Sequence, residues 1–381
     1  MPKIAILDGE ASGDLIGSQL MGHLNKKIKN VKFVGVGGPL MKKEGLTSYF
    51  NYSELSIHGY FEAYKNFFYL LSLRNKVIKY LLKEKPKIFI GIDLPDFNFT
   101  VEKILKENNI KTFHYVAPSV WAWRKNRIFS IKNNINHLFT VFPHEPKIFK
   151  KAKVPVTFVG HPLANQIPIK PSIKKTRKQL NLSNNKIITL LPGSRISEIK
   201  NNLDLMINSA NLINKEFLWE KLKKPQFIIP INSKANYDFI NRRINNDNKI
   251  NNIKLMIGHS HEAICASDFV ITVSGTATLE AALFKKPMIV VYKTSLISWL
   301  ILKNMILIPY IGLPNILLKK FIVPEYLQGN ATPEKISKKT MEIMQNMKLQ
   351  KNLNAIFKEL HISLKKNTAE MIYKKINSYL K

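Results

Sequence analysis

The sequence predicts an α/β protein of two doubly wound, Rossmann-like domains that face a central cleft, and three observations carry that prediction. Short Ile-, Val- and Phe-rich runs alternate with amphipathic stretches, the pattern of βαβ units on a parallel sheet. The alternation restarts after a proline-punctuated interval, Gly160–Ser172, which reads as a hinge linker rather than a further element. At 381 residues the chain also exceeds what one hydrophobic core normally supports.

Taken in order, the first half offers strands at Lys3–Leu7, Lys32–Val36, Ile88–Ile92, Lys111–Val116 and His137–Phe142. Each is a short apolar run of the kind a buried parallel strand shows. A helix through Ile16, Leu20 and Leu24 follows the first of them. The second half offers Ile187–Leu191, Gln226–Ile231, Ile253–Ile257, Phe269–Val273 and Met288–Tyr292. Beyond Pro333 the apolar positions, among them Ile336, Met341, Ile343, Leu353, Phe357, Leu360 and Leu364, keep helical spacing, so helices and no strand are predicted there. The domains are set at 1–168 and 169–343, with 344–381 as a helical finish. Ser295–Leu318 approaches the length of a bilayer span, but Lys303 and Asn304 interrupt it and Pro309 and Pro314 break it. A pair of short buried or interfacial helices is expected instead.

Composition narrows the classes. With 45% hydrophobic and 22% charged residues, the chain has enough apolar material to fold, which excludes disorder and fibrous repeats. Subtracting 26 acidic from 59 basic residues leaves +33, which favours an anionic partner such as a phosphate or a lipid surface. A Lys-, Asn- and Ile-rich composition yields the same excess, so charge alone selects no function. A single cysteine, Cys265, forms neither an intramolecular disulfide nor a cysteine zinc cluster, which fits a reducing cytoplasm. Met1–Leu7 runs straight into an apolar strand, so no secretory leader is expected.

The chemistry-bearing residues stand at strand ends. The first βα turn, Asp8-Gly9-Glu10-Ala11-Ser12-Gly13-Asp14, matches neither GxGxxG nor a phosphate-cradling loop. Its acids would repel a phosphate, so Glu10, Ser12, Gly13 and Asp14 point to hydroxyl recognition, or else to simple helix capping. The corresponding turn in the second half, Pro192-Gly193-Ser194-Arg195, is of opposite sign. Gly193 permits close backbone approach, and Ser194 and Arg195 open a helix whose start attracts a diphosphate. Ser274-Gly275-Thr276-Ala277 repeats the device on a later crossover, and Glu280 one turn on can hold paired ribose hydroxyls. Each turn is also a common cap; together, in one half, they indicate a nucleotide. Asp93 ends the Ile88–Ile92 strand with Asp96 three residues on, placing a general base, or a cap and a turn anchor, at the cleft. Trp121 and Arg124 in His114–Arg124 can meet a sugar or an anionic group, or serve as core and ion pair. An aromatic stripe within Tyr49–Leu82 can enter a lipid surface or pack internally. No metal-ligand cluster and no cofactor motif is read.

Together the blocks GEASGD (Gly9–Asp14), GVGGPLM (Gly35–Met41), GIDLPDFN (Gly91–Asn98), HYVAPSVWAWR (His114–Arg124), LLPGSR (Leu190–Arg195), SGTATLE (Ser274–Glu280), LPNILL (Leu313–Leu318) and PEYLQ (Pro324–Gln328) resemble the lipid-A-disaccharide synthase family of GT-B-type inverting glycosyltransferases. Leu40 and Tyr326 depart from the family pattern. The resemblance implies transfer of diacylglucosamine from its UDP conjugate to the 6-hydroxyl of diacylglucosamine 1-phosphate, giving a β-1,6-linked disaccharide 1-phosphate and UDP. It implies an acceptor-binding first domain, a UDP-sugar-binding second domain and last helices that return to the first. Asp93 is then the base, Glu10, Ser12 and Asp14 belong to the cleft, and Arg195, Ser274, Gly275, Thr276 and Glu280 belong to the UDP half, with Asn315 beside it. Partners are the two acylated sugars and the inner face of the inner membrane; nucleic acid is not among them, and oligomeric state is left open. Another UDP-sugar GT-B transferase or epimerase, or a basic membrane- or RNA-binding protein, are the alternatives.

Overall fold

A computed structural model describes residues 1–55, 67–121, 126–247, 252–295, 299 and 308–380. The chain forms two units, Met1–Pro162 with Leu364–Lys381, and Leu163–Ser363. The first unit holds β1 (Lys3–Leu7), β2 (Lys32–Val36), β3 (Leu46–Ser48), β4 (Ile88–Ile92), β5 (Lys111–Tyr115), β6 (His137–Thr140) and β7 (Val156–Phe158), ordered β3-β2-β1-β4-β5-β6-β7. The second holds β8 (Ile187–Leu191), β9 (Gln226–Ile231), β10 (Ile253–Ile257), β11 (Phe269–Val273), β12 (Met288–Tyr292) and β13 (Glu325–Leu327), ordered β10-β9-β8-β11-β12-β13. The strand pairs are parallel in both. Each sheet grows outward from its first strand on one side and then crosses to the other, so a topological switch point lies between β1 and β4 and another between β8 and β11. These are two doubly wound α/β sheets, as the sequence predicts.

Burial explains why the central strands read as unbroken apolar runs. Ile4–Leu7 and Ile88–Ile92 are wholly covered and paired so that Leu7 lies opposite Gly91. Ala5, Leu7, Val34, Val36 and Phe89 pack in one cluster with Leu73, Val77 and Leu81 of the helix Phe67–Glu84 and with Val101 and Leu105 of the helix Pro95–Glu107. Each such aliphatic side chain contributes roughly 1.5–3 kcal/mol by leaving water.

The sequence does not reveal β3, β7 and β13, which are three-residue strands at sheet edges. So short an edge strand shows no periodicity to read. Gly160–Ser172 is not a plain linker: Pro162–Gln166 is helical, opened by a proline whose missing N–H costs nothing at a first turn, and Ala164 and Ile167 are buried. Of Ser295–Leu318, the part 313–318 is a helix, while 296–298 and 300–307 lie outside the described residues. Among the described residues no helix is long and apolar enough to cross a membrane. The tail is helical, Pro333–Gln345, Met347–Leu364 and Thr368–Ile376. Its end is bonded into the first unit: the His161 N–H donates to the Leu364 carbonyl at 2.9 Å, the Thr368 hydroxyl to the Val159 carbonyl at 2.7 Å, and the Lys87 ammonium to the Leu380 carbonyl at 2.8 Å.

Gly35 in β2 has φ 137°, and a Cβ there would lie 2.0 Å from the Ile6 carbonyl oxygen. Gly35→Ala is expected to cost at least about 3 kcal/mol, because strain and a backbone clash add. Chemical denaturation followed by circular dichroism measures this, and a wild-type midpoint would contradict it.

Candidate active site

In the first unit, Asp8 follows β1 and Asp93 follows β4, the two strands that flank the switch point. Asp93 and Leu94 are both left-handed, with φ 50° and 45°, a conformation that costs an L-residue roughly 1–2 kcal/mol. The reversal is held by the Asp93 N–H donating to the Tyr115 carbonyl at 2.9 Å and by the Asn98 amide donating to the Asp93 carbonyl at 2.8 Å. Pro95 then opens the helix Pro95–Glu107. Burial pushes the Asp93 carboxyl above its ordinary value and Glu10 adds to this, while His114 and the Leu94 N–H pull the other way.

Asp8 is fully buried, and burial pushes its carboxyl up to about 8 against hydrogen bonds from the Glu10 and Gly9 amides. Its Oδ1 has no hydrogen-bond partner among the described residues. Gly13 makes the room, since a Cβ there would lie 1.7 Å from that Oδ1. Asp8 is absent from the sequence-derived candidates, although a carboxylate immediately after a central strand and before a glycine is a usable signal.

The other first-unit candidates separate by what they touch. Glu10 stands at the start of the helix Ala11–Lys27 without a side-chain cap bond, and Ser12 is exposed in the first turn. Asp14 is nearly buried and accepts from the Leu40 and Met41 amides, each at 2.9 Å, so it caps the helix Pro39–Lys43. Asp96 is exposed and ion-paired with Arg127. Trp121 donates from Nε1 to Glu145 Oε1 at 3.2 Å, and burial pushes that glutamic acid up to about 7. Arg124 lies outside the described residues. The structure thus gathers Asp93, Glu10 and the unanticipated Asp8, and gives Asp14, Asp96 and Trp121 local structural engagements.

In the second unit, Gly193, Ser194, Arg195, Ser274, Gly275, Thr276, Ala277 and Glu280 all line one pocket of about 680 Å³ at the ends of β8 and β11. Gly193 and Gly275 have φ 123° and 139°, conformations that L side chains rarely adopt. Ser194 is pinned by the Asn232 and Asn236 amides, which donate to its carbonyl at 3.0 and 3.1 Å. The Ser194 and Arg195 N–H groups, offered by the sequence to a phosphate, instead donate to Glu198 Oε2 at 3.0 and 3.3 Å. What remains for an anion is the Arg195 guanidinium, which makes no ion pair among the described residues, and the start of the helix Thr276–Leu283, whose first turn holds no acid. Periodicity missed His261, whose Nε2 lies 3.8 Å from Glu280 Oε2; the neighbouring Glu280 carboxylate pushes its imidazole up. Asn315 does not line the pocket. It is buried, its amide donating to Val323 O at 2.8 Å and Glu325 Oε1 at 2.7 Å, and Glu325 accepts from the Ile311 and Gly312 amides. Among the described residues Asn315 is linked to the pocket through Glu325 and Ile311, whose carbonyl accepts from the Ser274 hydroxyl at 2.8 Å. Among the described residues no three His, Cys, Asp or Glu side chains gather as a metal site.

Two doubly wound sheets, one with an acid at its switch point and one with an anion-ready pocket at its own, have the fold of a GT-B-type enzyme. Solved structures agree at the level of fold: a UDP-GlcNAc 2-epimerase from Methanocaldococcus jannaschii in complex with UDP-GlcNAc and UDP superposes with TM-score 0.64 at 15% identity, covering 99% of both chains. One from Neisseria meningitidis bound to UDP-GlcNAc gives 0.63 at 12% identity, covering 99% of this chain and 100% of the other. Residues 4–376 match the family model described as lipid-A-disaccharide synthetase. The chain is 41% identical over 383 residues to the lipid-A-disaccharide synthase of Methylobacillus flagellatus, covering 100% of each, and 40% identical over 369 residues to that of Chromobacterium violaceum, covering 96% and 94%. The chain therefore belongs to the lipid-A-disaccharide synthetase family, the glycosyltransferases that form the lipid A disaccharide.

Because the Asp8 carboxyl sits near 8 when folded, above about 3.9 in an unfolded chain, its support for the fold is complete below about pH 4 and is withdrawn as pH rises towards 8. Asp8→Asn removes that dependence. Unfolding free energies of wild type and variant, from calorimetry, should diverge progressively between pH 4 and 8 in favour of the variant, by up to about 1.4 kcal/mol per pH unit; parallel curves would show that Asp8 is not the buried acid described.

Proposed function

We propose that the protein transfers diacylglucosamine from its UDP conjugate to the 6-hydroxyl of diacylglucosamine 1-phosphate, with Asp93 as general base and the second-unit pocket as the UDP site. The oxygen of that hydroxyl attacks the anomeric carbon while its proton passes to an Asp93 oxygen. The bond from the anomeric carbon to the β-phosphate oxygen breaks with its electron pair, UDP leaves, and configuration inverts to β. The observation that supports Asp93 is its place at a switch point in strained backbone, buried and beside Glu10. Those surroundings keep its proton affinity high enough to accept a proton.

Arg195 and the helix start at Thr276 and Ala277 are suited to charge growing on the leaving diphosphate, and Glu280 to ribose hydroxyls. Glu198 must yield its amides, or the diphosphate must rely on Arg195 and the Gly275 turn. Acylated substrates call for a lipid surface, and Phe68, 83% exposed at the start of Phe67–Glu84, together with the +33 charge, suits an anionic leaflet facing the cytoplasm. Much of the aromatic stripe expected to contribute, Tyr60, Phe61 and Tyr64, lies outside the described residues.

Asp93→Asn should retain UDP binding and lose turnover by about 10²–10⁴-fold, measured as disaccharide formed from the two acylated sugars by mass spectrometry; near-normal turnover would move the base elsewhere. Arg195→Ala should weaken UDP at least about tenfold by calorimetry, and unchanged affinity would remove Arg195 from the donor site.

A further inference from the structure

We infer that Glu198 is a resident anion in the second-unit pocket, so that a diphosphate enters by displacing this carboxylate and is held the more weakly for it. The inference rests on that pocket being the UDP site. Glu198 lies in the first turn of the helix Ile196–Trp219 and lines the pocket beside Gly193, Ser194 and Arg195. Its Oε2 accepts from the Ser194 and Arg195 amides at 3.0 and 3.3 Å. One carboxylate oxygen on two adjacent N–H groups is the arrangement a phosphate oxygen takes at a helix start.

The turn is built around the carboxylate. Gly193 has φ 123°, and a Cβ there would lie 2.4 Å from Glu198 Cβ and 2.6 Å from Oε2, so glycine leaves the room in which the side chain folds back. The amides are fixed in direction, because the Ser194 carbonyl accepts from the Asn232 and Asn236 side chains at 3.0 and 3.1 Å. The Glu198 backbone is held too. Its carbonyl accepts at 2.9 Å from Asn202, which is buried and also donates to the Lys293 carbonyl at 3.1 Å. What is left to move is the Glu198 side chain, which is half-buried. An arriving diphosphate therefore exchanges one acceptor for another at these two N–H groups, while the Arg195 guanidinium adds a contact of its own. An ordinary helix cap makes the same bonds; what sets Glu198 apart is that its two amides are those the Gly193 turn offers inside the pocket. The two roles predict opposite signs. Losing a cap loosens the turn and weakens a ligand bound there, whereas losing a competitor tightens it.

The test is UDP binding by titration calorimetry to Glu198→Gln and Glu198→Ala, beside wild type and Arg195→Ala. E198Q keeps an acceptor without the charge, and E198A leaves the amides to water. Hydrogen bonds to a charged group are stronger than neutral ones, so UDP should bind about threefold tighter to E198Q and about tenfold tighter to E198A. Inhibition of turnover by added UDP should strengthen in the same order. Unchanged or weaker binding in both variants would overturn the inference in favour of a cap. Equal tightening in both would overturn it as well, since charge repulsion across the pocket, and not occupancy of the amides, would then explain the gain. Should E198A fail to fold, Glu198→Ser, whose short uncharged side chain does not reach back to the two amides, takes its place under the same criteria. Arg195→Ala keeps two failures apart: unchanged UDP affinity there removes the UDP site itself, whereas weakened binding there with no gain at Glu198 removes only the competitor.

Discussion

In each sheet the chain returns past its own first strand before continuing on the far side, and the position of every functional group follows from that reversal. Helices diverge at the reversal and leave a crevice at the carboxyl ends of the two central strands. A parallel sheet is covered on both faces, so this edge is where polar side chains can stand without disrupting the core. Asp8 and Asp93, far apart in the chain, become neighbours because β1 and β4 are paired. The Gly193 and Gly275 turns meet in one pocket because β8 and β11 are paired.

The same architecture serves opposite electrostatics in the two units. At β1/β4 the crevice is acidic and dry, so carboxyl groups hold their protons more tightly than in water. At β8/β11 the acids are placed so as not to oppose an anion outright: none lies in the first turn of Thr276–Leu283, and Glu280 sits further along the helix near His261. Glu198 is the exception. By accepting from Ser194 and Arg195 it satisfies amides that a helix start otherwise leaves orphaned, and it thereby competes with any phosphate for them.

Most of the sheet was legible because central strands are buried on both faces and announce themselves as apolar runs. Edge strands such as Val156–Phe158 are half-exposed and three residues long, and nothing in their composition distinguishes them from loop. The place of Asp93 after a strand was legible, and so were the two glycine turns of like design that line the second-unit pocket. Asp8 was not put forward as a site residue, because what marks it is its burial and its neighbour Asp93 after another strand. Asn315 was assigned by resemblance to a place beside UDP; what the sequence did not reveal is its four hydrogen bonds to Ile322, Val323 and Glu325, which organise the turn after its helix.

Three aspartates near the first crevice look alike in sequence and differ in what satisfies them. Asp14 receives two amide hydrogen bonds and Asp96 an arginine. Such partners engage these two carboxylates in holding the local backbone and the surface. Asp93 has the Leu94 amide and the nearby imidazole on one side of the balance, with burial and Glu10 on the other. A general base needs both: enough opposing charge to be ionised at working pH, and enough deprivation to want the proton when the hydroxyl attacks. Asp93 differs from the other two in that its backbone is turned out of the strand into strained geometry while its carboxyl stays buried, the surroundings that the proposed role as base calls for.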